Sequence, residues 1–177
     1  DQLKQLQHVQ ASQEIEGVRG DLDIIAASVK NGKACVQMLY VRHGRVVGSK
    51  SFFPPLKLTT EPRDVIEAFL PQFYLHTSNN IPPEILTSEP LASSAILADA
   101  LSVKLMRKVR IRNKVREARA KWIGLAMQSA ETNLISYLLR RETTQTRIKH
   151  LGLLLNMTFT PKRIECFDIS HSGGEAP

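Results

Sequence analysis

Two carboxylates stand among apolar neighbours on segments that read as strands, and they are where chemistry could sit. Asp168 lies in Arg163-Ile164-Glu165-Cys166-Phe167-Asp168-Ile169-Ser170-His171, and Asp23 lies in Asp21-Leu22-Asp23-Ile24-Ile25. A carboxylate among Phe167 and Ile169 is costly to bury unless a cation or a hydrogen-bonding partner receives it. A divalent cation held by several such oxygens can activate water for phosphodiester hydrolysis, but one carboxylate cannot do this alone. Other possible ligands are dispersed. The five histidines are scattered with no pair at zinc-ligand spacing, and Cys35 and Cys166 are the sole cysteines. Both cysteines read as small buried hydrophobes. His171 is expected in a loop, and no Gly-rich phosphate loop predicts nucleotide hydrolysis.

A second kind of chemistry is electrostatic. Residues 1–100 hold nine Lys/Arg against eleven Asp/Glu, whereas residues 101–165 hold fifteen against four. Nine cations, Lys104, Arg107, Lys108, Arg110, Arg112, Lys114, Arg116, Arg119 and Lys121, fall between positions 104 and 121, with Glu117 the single acid. Alternation along Lys108–Arg112 places Lys108, Arg110 and Arg112 on one strand face, with Val109 and Ile111 inward. Arg116 and Arg119 continue that line at spacings of four and three. Such a stripe can track a duplex phosphate backbone without reading sequence. A solvated sheet edge, where cations discourage edge pairing, gives the same pattern.

The elements that must position these groups are legible from period and punctuation. Residues 1–16 show helical spacing, with Gly17 and Gly20 after them. Leu22–Val29, Ala34–Arg42 and Arg45–Phe53 read as an antiparallel meander turned at Asn31-Gly32 and His43-Gly44 and ended by Pro54-Pro55. Thr59 or Thr60 is expected to cap a helix with Pro62 in its first turn and Val65, Ile66, Phe69, Leu70 and Phe73 on one face. Pro71 should kink or shorten it. Glu84–Ser88 reads as a strand, and Ser93 or Ser94 as the cap of a helix bearing Ile96, Leu97, Ala100, Leu101 and Leu105. A long helix over Val115–Arg141 carries Trp122, Ala126, Ala130, Leu134 and Leu138 four apart. Thr143 or Thr144 should cap another helix that Pro161 breaks, and Arg163–Ser170 should be a last strand. Trp122, Tyr74 and Tyr40 are expected in the core.

The order is β-β-β-α-β-α-β-α, an α/β (α+β) arrangement with the element order of the ribonuclease-H-like fold. In that fold, carboxylates also come from the first helix and the end of the fourth strand, where Glu67 and Glu89 stand. Asp23, Glu67 and Glu89 are therefore a candidate second site, either cryptically active or a degenerate scaffold. The expected organisation is 1–17 a helical end, 18–142 the central domain, 143–162 a helical linker and 163–177 one strand of a further domain.

The nine-residue run Arg163–His171, followed by Gly173-Gly174-Glu175, resembles the start of the C-terminal nuclease domain of the UvrC family, the incising component of the bacterial UvrABC excinuclease. Gly20–Ile25, the Ala34–Phe53 hairpin with Ser51-Phe52-Phe53-Pro54, and Gln72-Phe73-Tyr74 are similar to that family's central region. Asp1-Gln2-Leu3 resembles the end of its UvrB-binding helical hairpin. The resemblance implies a role in nucleotide excision repair as an endonuclease component and damaged double-stranded DNA as a partner. UvrB is implied as a further partner and UvrA as an indirect one. It also implies that Asp168 is the first carboxylate of an Asp-Asp-His site for a divalent metal, Mg or Mn, whose other ligands lie past Pro177. No cofactor is then expected in this chain alone, which should be inactive by itself. A DNA-contacting scaffold is the favoured role, and a protein-interaction platform without DNA contact is the alternative. No apolar run approaches the ~20 residues that span a bilayer, and no signal peptide is visible, so a soluble cytoplasmic setting without membrane contact is expected.

Overall fold

A computed structural model of the chain describes residues 20–56, 61–76, 81–115 and 117–165. The expected N-terminal helix, the Thr59/Thr60 cap and the Cys166–Ser170 part of the last strand lie outside the described residues. The elements are β1 (Leu22–Lys30), β2 (Lys33–Arg42), β3 (Arg45–Phe52), α1 (Pro62–His76), β4 (Glu84–Thr87), α2 (Ser94–Leu105), β5 (Arg110–Arg112) and α3 (Glu117–Leu154). They give the expected order.

The meander follows from its turns. Asn31 and Gly32 have φ of 51° and 66°, and His43 and Gly44 have 53° and 77°, the paired left-handed conformation of a two-residue hairpin whose twist matches its strands. Register slips between Tyr40 and Val41 of β2, so Val47 bulges from β3, where it is exposed. β1 then pairs in parallel with β4, and β4 with β5, giving the five-strand order β3-β2-β1-β4-β5. The parallel pairs need crossovers, and α1 and α2 supply them.

Both faces of the central strands are covered, which is why β1 reads as nearly continuous apolar sequence. On one face Ile25, Ala27, Val36, Met38, Ile85 and Val109 pack with Val65, Ile66, Leu70 and Tyr74 of α1 and with Leu97 and Leu101 of α2. On the other, Leu22, Ile24, Ala26, Leu39, Val41 and Leu86 pack with Trp122, Ile123 and Ala126 of α3. Ala126 and Ala130 are fully buried and let α3 lie close to the sheet. Gln37 of β2 is 2% exposed on this face, and its Oε1 accepts hydrogen bonds from Ser51 at 2.6 Å and from Asn133 of α3 at 3.0 Å. Those two bonds pair the buried Gln37 amide oxygen beneath the helix.

Several expectations are corrected. α1 is not shortened at Pro71 but runs on for five more residues, because a proline removes one carbonyl's partner without blocking the turns that follow when packing holds them. Ser93 is the N-cap of α2 by position, but its hydroxyl makes no capping bond. α3 shows no break at Thr143 or Thr144: their hydroxyls donate to the carbonyls of Leu139 and Arg140 at 3.0 and 2.9 Å, the back-bonded form a threonine takes inside a helix. The helix therefore crosses the expected 142/143 boundary, and the compact sheet unit closes at Ser136. In the second unit, from Tyr137, the helix ends at Leu154. Asn156 at φ 51° then turns the chain back, so that Pro161 lies where a Cβ on Gly152 would meet it at 3.4 Å. Residues 163–165 are irregular rather than strand.

Candidate functional site

Asp23 occupies the second position of β1, paired with Tyr40 on β2 and Ile85 on β4, and its side chain is 3% exposed. Odd positions of β1 face α1, so the carboxylate meets that helix near its C-terminal end. Tyr74 donates its hydroxyl to Asp23 Oδ2 at 2.8 Å, and Arg42 donates Nη1 to Oδ1 at 2.8 Å. The same Nη1 lies within reach of the carbonyls of Leu22 and Val41, which hold the guanidinium against the strand. Burial pushes the Asp23 carboxyl above its usual range, and the hydrogen bonds from Arg42 and Tyr74 oppose that push without cancelling it. Burial and the Asp23 charge push Tyr74 well up, so its phenol stays a donor.

Glu67 and Glu89 are elsewhere. Register pairs Asp23 with Ile85, whereas Glu89 lies two residues past the end of β4, in the bend that follows the strand. Glu67 lies seven residues before Tyr74, about 10 Å up α1. There its carboxylate accepts the Ser93 backbone N–H at 2.7 Å, joining α1 to the start of α2, and hydrogen bonds from Ser93 hold it below the usual range. Among the described residues no three His, Cys, Asp or Glu side chains converge to hold a metal. The three carboxylates proposed as a second site thus do not come together. Both Asp23 oxygens are taken, one by a permanent cation, so the donor set does not fit a divalent metal. Removing the phenol is the direct test of this closure. Tyr74→Phe should cost about 1.5–3 kcal/mol, the range for a hydrogen bond to a charged group, read as a lower urea midpoint. Tyr40→Phe should cost less, since that hydroxyl donates to Met38 Sδ at 3.9 Å, a weak acceptor.

The basic segment lies at the other side of the sheet. Val109 is buried and Ile111 half-buried against α1 and α2, while Lys108, Arg110 and Arg112 are exposed around them, as the alternation predicts, and Lys114 beyond them is exposed too. The strand itself is only Arg110–Arg112. Its entry is set by Ser102 of α2, whose Oγ accepts the Val109 N–H at 2.9 Å, a contact that no local pattern announces. Arg107 and Lys104 donate to backbone carbonyls, Arg107 to Ile81 and Lys104 to Leu75 at 2.8 Å.

Arg119 is engaged within the fold. Its Nη1 donates to both oxygens of Glu84, at 2.8 and 2.9 Å, and Arg112 Nε lies 3.9 Å from the same carboxylate. Arg119, Trp122, Ile123 and Ala126 stand at i, i+3, i+4 and i+7, so the helical period itself turns Arg119 toward the sheet. That spacing was the signal available in the sequence. Lys121, two positions on, is exposed on another side of α3. Arg116 lies outside the described residues, as do Asp168, Cys166 and His171.

A family model described as the UvrC Ribonuclease H-like domain matches residues 21–137, from the start of β1 to the end of the sheet unit. The chain belongs to the UvrC family. Two relatives show the extent of the likeness. UvrABC system protein C of Saccharophagus degradans is 40% identical over 176 residues, 99% of this chain and 29% of that protein. UvrABC system protein C of Pseudomonas aeruginosa is 41% identical over 177 residues, with the same coverage. The chain thus spans less than a third of the length of these UvrC relatives. In this UvrC family member, Cys35 is fully buried, and burial pushes its thiol up to about 11, which removes it from thiolate chemistry at neutral pH. No helix among the described residues is long and apolar enough to cross a membrane.

Proposed function

We propose that this chain is the central scaffold of the excinuclease component that incises damaged DNA in nucleotide excision repair. The observation that carries the scaffold role is the closed carboxylate: a ribonuclease-H-like sheet whose central aspartate is neutralised by Arg42 and Tyr74 keeps the architecture without the metal site. Incision chemistry then belongs to the complete protein, in which Asp168 supplies the first carboxylate of a divalent-metal site, Mg or Mn. UvrB and, indirectly, UvrA are its protein partners, and the cytoplasm is its setting. The exposed cations beside β5 support DNA contact. A repair protein must act at any sequence, and phosphate contacts give affinity without sequence readout.

Fluorescence anisotropy of a labelled duplex, titrated with this chain across salt, tests the reading. A log–log salt slope of several units, alike for unrelated sequences, is the expected result, with no Mg- or Mn-dependent nicking by the chain alone. Flat anisotropy at low salt would replace DNA contact by a protein-interaction platform. Metal-dependent nicking abolished by Asp23→Asn would replace the scaffold by an active site.

A further inference from the structure

Among the described residues the cations of the basic segment differ in their surroundings. Exposure alternates strictly from Lys108 to Lys114, so four cations leave the sheet edge from one short stretch of chain. Arg110 and Arg112 stand about 6.6 Å apart on β5, both on the exposed side of the strand. Arg119 differs in kind. Its side chain is 29% exposed, and its partner Glu84 is 16% exposed. Glu84 sits on β4 opposite Arg110, so the ion pair joins the first turns of α3 to the β4–β5 ladder. A guanidinium bound at both carboxylate oxygens in a half-buried setting would have to abandon that charge-assisted contact to reach a phosphate. Arg112 touches Glu84 only through Nε at 3.9 Å, and its side chain is 52% exposed, which leaves its terminal amines toward solvent.

We propose that the phosphate-contacting surface is the row Lys108, Arg110, Arg112 and Lys114. Arg119, held by Glu84 as a brace, and Lys121, on another side of α3, lie outside it. This rests on the DNA-contact reading above and deepens it by naming which cations do the work. The ligand is the backbone of a nucleic-acid duplex, and four contacts set the expected salt slope of log Kobs at about −3.6.

The experiment is anisotropy of the 177-residue chain on a short duplex of arbitrary sequence, with single neutral variants. Arg110→Gln and Lys114→Gln should each flatten the slope by about one unit. Arg119→Gln and Lys121→Gln should leave the slope where it is, while Arg119→Gln lowers the melting midpoint. Flattening by Arg119→Gln or Lys121→Gln equal to that of Arg110→Gln overturns the partition, and the parent slope then still upholds DNA contact. An absent slope in the parent chain instead overturns the DNA-contact reading itself. Should Arg119→Gln not fold, Lys121→Gln and the two row variants still decide between a short row and a continuous stripe.

Discussion

Arg42→Met is expected to lower the thermal midpoint by roughly 9 °C at neutral pH. Removing one member of a buried ion pair strands the other, which costs about 3 kcal/mol at the lower end of the range for such losses, since Arg42 is partly reached by solvent. In a chain of this size each kcal/mol shifts the midpoint by about 2–4 °C. Met keeps an unbranched stem along the strand and removes the charge.

The pH dependence follows from the direction of the Asp23 shift. Its carboxyl titrates above the ordinary 3.8 in the folded chain, so the folded state holds that proton more tightly than the unfolded state does. The stabilisation linked to this proton is fully present below about 3.8 and is lost as pH rises through the folded value. Without Arg42 the folded value moves further up, because desolvation then meets only the Tyr74 bond. The deficit of Arg42→Met relative to the parent should therefore be small in acid and grow toward neutrality. Asp23→Asn placed in the Arg42→Met chain should recover most of the loss at pH 7, because the uncompensated charge is gone. Thermal melts of the four chains at pH 4.5 and 7.5 form the cycle. An equal deficit at both pH values, or no recovery by Asn, would show that Arg42 acts through packing alone.

Trp122→Ala should cost about 4 kcal/mol and lower the midpoint by about 12 °C, the largest single loss in the sheet unit. Trp122 is fully buried between α3 and the β1–β2–β4 face, where it packs with Leu22, Ile24, Val41 and Leu86. Its indole Nε1 has no hydrogen-bond partner among the described residues. Trp122→Phe separates the two consequences. It gives up part of the packing but also removes an unpaired buried donor, so its loss should be clearly smaller than that of alanine. Equal losses for the two variants would mean that the site cannot collapse around a phenyl ring. Urea unfolding with an unchanged m-value would show that stability, and not the extent of the folded unit, has moved.

Local periodicity made the sheet legible. Asn31-Gly32 and His43-Gly44 announce their hairpins because few residues other than Gly and Asn hold φ above zero cheaply. The spacing of Trp122, Ala126, Ala130 and Leu134 announces the buried face of α3, and all four are indeed buried. The alternation of Lys108–Arg112 likewise sorts inward from outward residues. Each of these signals spans a few residues, and the backbone's own geometry converts it into a direction.

What periodicity does not carry is the partner of a charged group. Asp23 meets Tyr74 across 51 positions, Arg119 meets Glu84 across 35, and Asn133 meets Gln37 across 96. Asp23, Glu67 and Glu89 occupy the element positions of a ribonuclease-H-like site, yet Glu67 stands about 10 Å up α1 from the Tyr74 that meets Asp23 and Glu89 lies past the end of β4, so the three do not converge. Thr143 and Thr144 show the same limit at short range. A threonine that can cap a helix can equally bond the carbonyl four residues back, and only the surrounding turns decide which.

Element order, the hairpins, the inward and outward faces and, through resemblance, the UvrC family could all be read from the residues in order, because these rest on local backbone preference and residue pattern. That Asp23 is closed by Arg42 and Tyr74, and that Arg119 pairs with Glu84, emerged only once the chain was folded. A side-chain charge is settled by whatever the fold brings within about 3 Å of it, and sequence separation says nothing about that distance.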